Sequence, residues 1–217
     1  MTQQTDERLN APAAPNLPLA PLVYERSFQE ALNNILRLYF NRLDNTLQNA
    51  FGDNGGRYLE CPNGLFFDLG TYSPAVINTG YPLEFKVPYL TNGITVVDNT
   101  KITVVYPGVY NFQYSSALTS TNSSLKTVWV WIVRNGTPIG YSTNEYTLSG
   151  SGTDTIISWN FNIDLDAGEY IEMYWGADST NVTISTTAAT PPHPGIPANV
   201  VAVNFVSPLP DPRPTPP

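Results

Sequence analysis

Val109-Tyr110-Asn111-Phe112-Gln113-Tyr114 sets a ring at every second position and a smaller or polar side chain between. Successive side chains of a β-strand point to opposite faces, so this period of two predicts a strand with one face in a core. Trp159-Asn160-Phe161-Asn162-Ile163-Asp164 and Ile171-Glu172-Met173-Tyr174-Trp175 alternate in the same way. Between such runs lie turn-forming groups: Tyr106-Pro107-Gly108, Arg134-Asn135-Gly136, Ser149-Gly150-Ser151-Gly152 and Asp166-Ala167-Gly168. Many short strands separated by frequent turns predict an antiparallel β-sandwich over residues 65–206.

One run departs from alternation. Thr127-Val128-Trp129-Val130-Trp131-Ile132-Val133 is apolar on both faces, with Val128, Val130 and Ile132 on one and Trp129, Trp131 and Val133 on the other. A sandwich strand of this kind needs cover on its outer side. A long loop, the N-terminal helix or a second copy would supply it; the favoured expectation is a homotypic interface formed by these six residues.

Upstream of the sandwich the period changes. Residues 1–23 form an arm with Pro12, Pro15, Pro18 and Pro21 spaced by three and Leu17, Leu19 and Leu22 among them. Polyproline II has three residues per turn, so the prolines line one edge of an extended rod. That rod reads either as an arm that docks in a groove of another protein, which the leucines favour, or as a plain spacer. Residues 24–51 predict one amphipathic helix, with Ser27 and Glu30 spaced as a capping box. Phe28, Leu32, Ile35, Leu36, Tyr39, Phe40, Leu43, Leu47 and Ala50 share a side. So wide a stripe fits contact with its own copies on one flank and another surface on the other, or packing on its own domain. Residues 52–64 read as a hinge rich in turn formers, and residues 207–217 as a proline-rich tail that cannot join a ladder.

Composition excludes several functions. The 217 residues are only 13% charged, where about 25% is typical, and 12% aromatic. Eighteen acids against 10 bases leave a net charge of −8, the wrong sign for neutralising phosphates, so no nucleic-acid partner is expected. No run of 18 apolar residues occurs, and MTQQTDERLN has no apolar stretch behind it, so neither membrane insertion nor a signal peptide is expected. With one cysteine, Cys61, and one histidine, His193, the chain has no internal disulfide and little material for metal ligation or acid–base work. Phosphate loops, nucleophile elbows and zinc motifs are missing from the sequence. Asp164, Asp166, Glu169 and Glu172 lie close together but lack calcium-loop spacing and read as solvated acids. No catalytic residue, metal or cofactor is expected.

Two resemblances add to this reading. Gly108 to Tyr114, Val130 to Gly136, Leu165 to Met173 and Asn204-Phe205-Val206 resemble, in order and spacing, the tumour-necrosis-factor-like jelly roll, above all its complement globular-head branch. The resemblance implies a compact homotrimer joined through aromatic and aliphatic faces. Leu36 to Asn45, Phe51 to Leu59 and Pro62-Asn63-Gly64 resemble a module at the head of virion structural proteins in tailed phages of marine bacteria, which implies an attachment end joined to a variable display end.

Together these readings predict a mainly β protein, a jelly roll behind one amphipathic helix and an extended proline-rich arm. The expected function is non-enzymatic: a homotrimeric bacteriophage structural protein on the particle exterior, assembled in the host cytoplasm, as capsid decoration or head fibre. Its partners are its own copies and other virion proteins. The virion anchor is assigned to Pro12, Pro15, Leu17, Pro18, Leu19, Pro21, Phe28, Leu32, Leu36, Phe40, Leu43 and Leu47. The alternative is a tail adsorption protein that binds host-surface glycan or protein through Tyr141, Tyr146, Tyr174 and Trp175, since rings beside Asn and Asp suit stacking on sugars.

Overall fold

A computed structural model describes residues 15–17, 19, 22–51 and 61–209. The chain divides into two units, Met1–Glu60 and Cys61–Pro217.

The first unit contains α1 (Arg26–Phe51). The expected capping box is not what starts it: the Glu30 carboxylate is taken by Arg26, whose Nε donates to Oε1 at 2.7 Å, and the first turn closes from Gln29 N–H to the Glu25 carbonyl. Exposed, that i,i+4 pair contributes little. Along the apolar stripe Phe28, Leu32, Ile35, Leu36, Tyr39 and Leu43 are half-buried, while Phe40 and Leu47 are exposed.

Fourteen strands follow among the described residues. They are β1 (Asn63–Asp68), β2 (Thr71–Tyr72), β3 (Tyr81–Pro82), β4 (Val87–Asn92), β5 (Ile94–Val97), β6 (Lys101–Val104) and β7 (Gly108–Ser120). Then come β8 (Lys126–Arg134), β9 (Thr137–Pro138), β10 (Asn144–Leu148), β11 (Thr153–Leu165), β12 (Tyr170–Ala177), β13 (Val182–Ser185) and β14 (Asn199–Ser207). All pairings are antiparallel. One sheet places β11 along the full length of one edge of β7. The other edge of β7 is shared by β14 and β13, and β14 continues to β1 and β4. The second sheet runs β10-β8-β12-β6-β5, with β3 beside β12 and β9 folded back on β8. Two antiparallel sheets, joined by strands that alternate between them, make a jelly-roll sandwich. The mainly β expectation, with one helix ahead of the sandwich, holds.

The turn chemistry follows the sequence. Asn135 (φ 49°) and Gly136 (φ 80°) are both left-handed, the requirement of the two-residue hairpin turn between β8 and β9. Asp98 and Asn99, at φ 53° and 64°, are left-handed too, in the three-residue turn between β5 and β6.

The core lies between the sheets. Phe66, Tyr110, Phe112, Tyr114, Val201 and Val203 face Ile94, Ile102, Val128, Val130, Ile171, Met173 and Trp175, all buried. The alternation that predicted a strand at 109–114 is therefore the alternation of core and outer face: Tyr110 is wholly buried, and its hydroxyl donates to the Tyr106 carbonyl at 2.7 Å. Buried Lys126 closes the β7–β8 connection, its Nζ donating to Ser120 Oγ at 2.8 Å and to the carbonyls of Asn122 and Ser124 at 2.8 and 2.7 Å.

Candidate functional site

The run that is apolar on both faces is β8. Its neighbours settle what each face does. Val128, Val130 and Ile132 point between the sheets and are buried against the chain's own core, so they have no surface left for a second copy. They leave the expected interface set. Val133, on the outer side, is also buried, opposite Pro138 of β9. Trp129 and Trp131 are half-buried on the outer face.

Part of the cover over that face is a loop of the same chain. The Asn78 N–H donates to the Ala177 carbonyl at 2.8 Å and ties the loop before β3 to the end of β12. Gly80 then lies so close to Trp131 that a Cβ there would fall 2.6 Å from the ring. Gly176, opposite Trp129 in the ladder, has the same role: a Cβ would sit 2.9 Å from the Thr79 carbonyl oxygen. Between loop and indoles runs a groove of about 380 Å³, with Thr143 on its far rim. Trp129 Nε1 donates to Glu145 Oε2 at 2.9 Å, and Trp131 tilts against Tyr174 with ring centroids 5.9 Å apart. Burial, then the nearby Glu172 carboxylate, push the Tyr174 hydroxyl pKa upward.

The four residues expected to meet a receptor are dispersed. Trp175 is a core residue, buried beside Tyr81, and is removed from that set. Tyr146 packs against the core and its hydroxyl donates to the Ser158 carbonyl at 3.1 Å. Tyr174 belongs to the outer face with Trp131, and Tyr141 is fully exposed in a left-handed conformation. Neighbouring strand residues face opposite ways, which is why Tyr174 and Trp175 cannot share a surface.

No protein family matches the sequence, and no curated protein does. The similar solved structures include two jelly-roll domains. Eiger TNF from S. frugiperda matches at 13% identity and TM-score 0.49, over 72% of this chain and 99% of that one. The globular domain of zebrafish complement 1qA protein matches at 14% identity and TM-score 0.43, over 68% of this chain and 98% of that one.

The sequence reading missed a second surface. On the outward face of the β7 sheet, register sets Asn162 opposite Asn111, Asn111 opposite Asn204, Asn204 opposite Asn63 and Asn63 opposite Asn92. Five asparagines from five adjacent strands thus form one row. Asn111 Nδ2 donates to Asn160 and Asn162 at 2.6 and 2.8 Å, and Asn63 and Asn92 both donate to the Cys61 carbonyl. Beside this row the same face is apolar over β4, β1 and β14, with Leu65, Phe67, Val87, Leu90, Val200 and Ala202, whereas β7 and β11 interpose Gln113, Ser115, Ser158 and Asn160 before Ala117 and Ile156. Leu90 is 48% and Ile156 57% exposed. Each strand's asparagine falls on the outward parity, but only the register shows that they align.

Of the expected anchor, Pro12, Pro18 and Pro21 lie outside the described residues. Leu17 and Leu19 are exposed, Leu19 at 95%. The acidic cluster is spent within the fold. Arg134 pairs with Glu169 and, at 3.8 Å, with Asp164, while Thr100 donates to Glu172. His193 is exposed, its Nδ1 3.0 Å from the Pro194 carbonyl oxygen. Among the described residues no cluster of His, Cys, Asp and Glu would hold a metal ion, and no helix is long and apolar enough to cross a membrane.

Proposed function

We propose that the chain is a non-enzymatic structural protein that self-associates as a homotrimer, attaches by its N-terminal arm and helix, and displays its jelly roll on the exterior of a bacteriophage particle. The supporting observation is the outward face of the β7 sheet. It offers a contiguous apolar surface of Leu65, Phe67, Leu90, Val200 and Ala202 bordered by an aligned amide row. Apolar side chains beside hydrogen-bonding amides are the make-up of an interface between copies, with hydrophobic contact for strength and amides for register. The Trp129 and Trp131 face is a weaker candidate, because Gly80 and the loop around it already lie on Trp131.

Placement on a virion is supported by the resemblance of residues 36–64 to phage structural proteins. Residues 61–206 hold 10 acids and 4 bases, and residues 1–60 hold 7 and 5, so attachment by either part is apolar and geometric rather than basic. Light scattering tests the association: the expected mass is three times 23.8 kDa at micromolar concentration, and a stable monomer overturns it. Removing residues 1–60 is expected to leave the sandwich folded and to abolish decoration of particles; decoration by the truncated chain overturns the anchor assignment. The second reading, an adsorption protein at the tail, is favoured by the ring-lined groove on the opposite sheet. Copy number on the particle separates the two, high on the shell for decoration and low at the tail for adsorption.

A further inference from the structure

A sugar ring presents two chemistries at once, an apolar C–H face and a periphery of hydroxyls, so a site that holds one needs a flat apolar platform with hydrogen-bonding groups around it. The groove outside β8 has both parts. Trp129 and Trp131 form its wall, and neither ring is loose: the first is fixed through Nε1 to Glu145 at 2.9 Å, the second lies between Gly80 and Tyr174. A wall already held in place loses little side-chain entropy when a ligand stacks on it. The lining supplies the Asn78 amide and the Thr79 and Thr143 hydroxyls, while the Glu145 carboxylate is occupied in accepting the Trp129 indole N–H.

The floor is built where the loop packs on the sheet too closely for a side chain. At Gly80 a Cβ would collide with Trp131, and at Gly176 with the Thr79 carbonyl, so a larger residue at either position would push the loop off the sheet and reshape the groove. Its volume of about 380 Å³ falls within the range of about 300–1,000 Å³ usual for small-ligand sites. Charge narrows the ligand further. No lysine or arginine lines the groove, the Glu145 carboxylate is one hydrogen bond from its Trp129 wall, and the whole chain carries −8. A sialylated, sulfated or uronic-acid sugar would bring a negative charge to an acidic chain, near the Glu145 carboxylate, without a lining cation to meet it.

We propose that this groove binds a neutral pyranose, stacked on Trp129, bordered by the edge of Trp131 and held by hydroxyl contacts to Asn78 and Thr143. The site is complete within one chain, so it stands or falls independently of the trimer and of the virion placement.

The test uses the full-length chain and ligand-observed NMR with the methyl glycosides of glucose, galactose, mannose and N-acetylglucosamine at millimolar concentration, beside N-acetylneuraminic and glucuronic acid methyl glycosides. The expected result is saturation transfer to the ring protons of at least one neutral glycoside and none to the acidic pair. Trp129→Ala is expected to weaken that binding by about tenfold, the worth of one stacked aromatic contact. Thr143→Arg, at an exposed rim position, is expected to block it while leaving the thermal unfolding midpoint in place. Absence of binding by every neutral glycoside, preference for an acidic one, or binding that survives Thr143→Arg each overturns the proposal.

Discussion

Trp129 and Glu145 are cross-strand partners on β8 and β10, and the indole Nε1 donates to the carboxylate at 2.9 Å. A half-exposed tryptophan on a sheet face is ordinarily free to change rotamer, and this bond restricts it. The bond is exposed to solvent, so its net worth to stability is small, no more than about 1 kcal/mol. Glu145→Ala is therefore expected to leave the unfolding free energy nearly unchanged while altering the near-ultraviolet circular dichroism and fluorescence anisotropy of the indole. An unchanged aromatic spectrum would show that the bond is not what orients the ring.

The apolar face of the β7 sheet gives a sharper expectation. Leu90 points outward opposite Leu65 and is 48% exposed in the single chain. Leu90→Asp costs an isolated chain little, because the carboxylate stays in water, but each interface of an assembly would have to desolvate a charge at a cost of several kcal/mol. The variant is expected to scatter light as a monomer and to keep its β-sheet circular dichroism. A variant with the parent's mass would place self-association on another face.

Lys126 is wholly buried, and its ammonium is held by three oxygens, from Ser120, Asn122 and Ser124, with no carboxylate among them. Lys126→Met keeps most of the stem's packing but takes their donor from the Ser120 hydroxyl oxygen and the Ser124 carbonyl, while the Asn122 carbonyl keeps the Ser120 hydroxyl at 2.9 Å. An unsatisfied buried acceptor costs about 1–3 kcal/mol, and the part-buried Ser124 carbonyl lies at the lower end of that range. A loss of about 2 kcal/mol is expected, seen as a lower urea midpoint with an unchanged slope. No change in midpoint would mean that the loop closes without the lysine.

Much of the sandwich is legible in the sequence because it is written in local terms. Tyr110, Phe112 and Tyr114 recur with the period of a strand, and Asn135-Gly136 carries the left-handed pair its hairpin requires. What depends on pairing is not legible. Val128 and Trp129 are equally apolar as text, and only the position of β8 between β10 and β12 puts the valine in the core and the indole outside. The same holds for Trp175, which a list of rings places beside Tyr174 and the pleat turns inward. The asparagine row is the extreme case. Asn63, Asn92, Asn111, Asn162 and Asn204 are spread over more than half the chain, and no window of sequence contains the register that aligns them. The groove likewise joins Gly80 to Trp131 across 50 positions of sequence, and its signal, two glycines beside paired tryptophans, becomes readable only once those contacts are known.

Arg134 and Glu169 join the end of β8 to the turn before β12, and Asn135 and the Asp166 N–H add two further donors to the same carboxylate, at 2.7 and 2.8 Å. Burial by itself opposes ionisation of Glu169, but the Arg134 guanidinium and these donors together outweigh it and hold the carboxyl below its ordinary value. A carboxylate whose pKa is lower folded than unfolded binds fewer protons in the native state. Its contribution to stability is thus complete above the ordinary glutamate value of about 4.3 and disappears as pH falls through the lower, folded value. Glu169→Gln removes the charge at every pH. The variant is expected to be less stable than the parent at pH 7, and the gap is expected to narrow as pH drops below about 4, where the parent's own Glu169 is being protonated. Urea unfolding at pH 7 and in steps down to pH 3 reads both arms, and a gap that stays constant with pH would show that the residue acts through its shape rather than its charge.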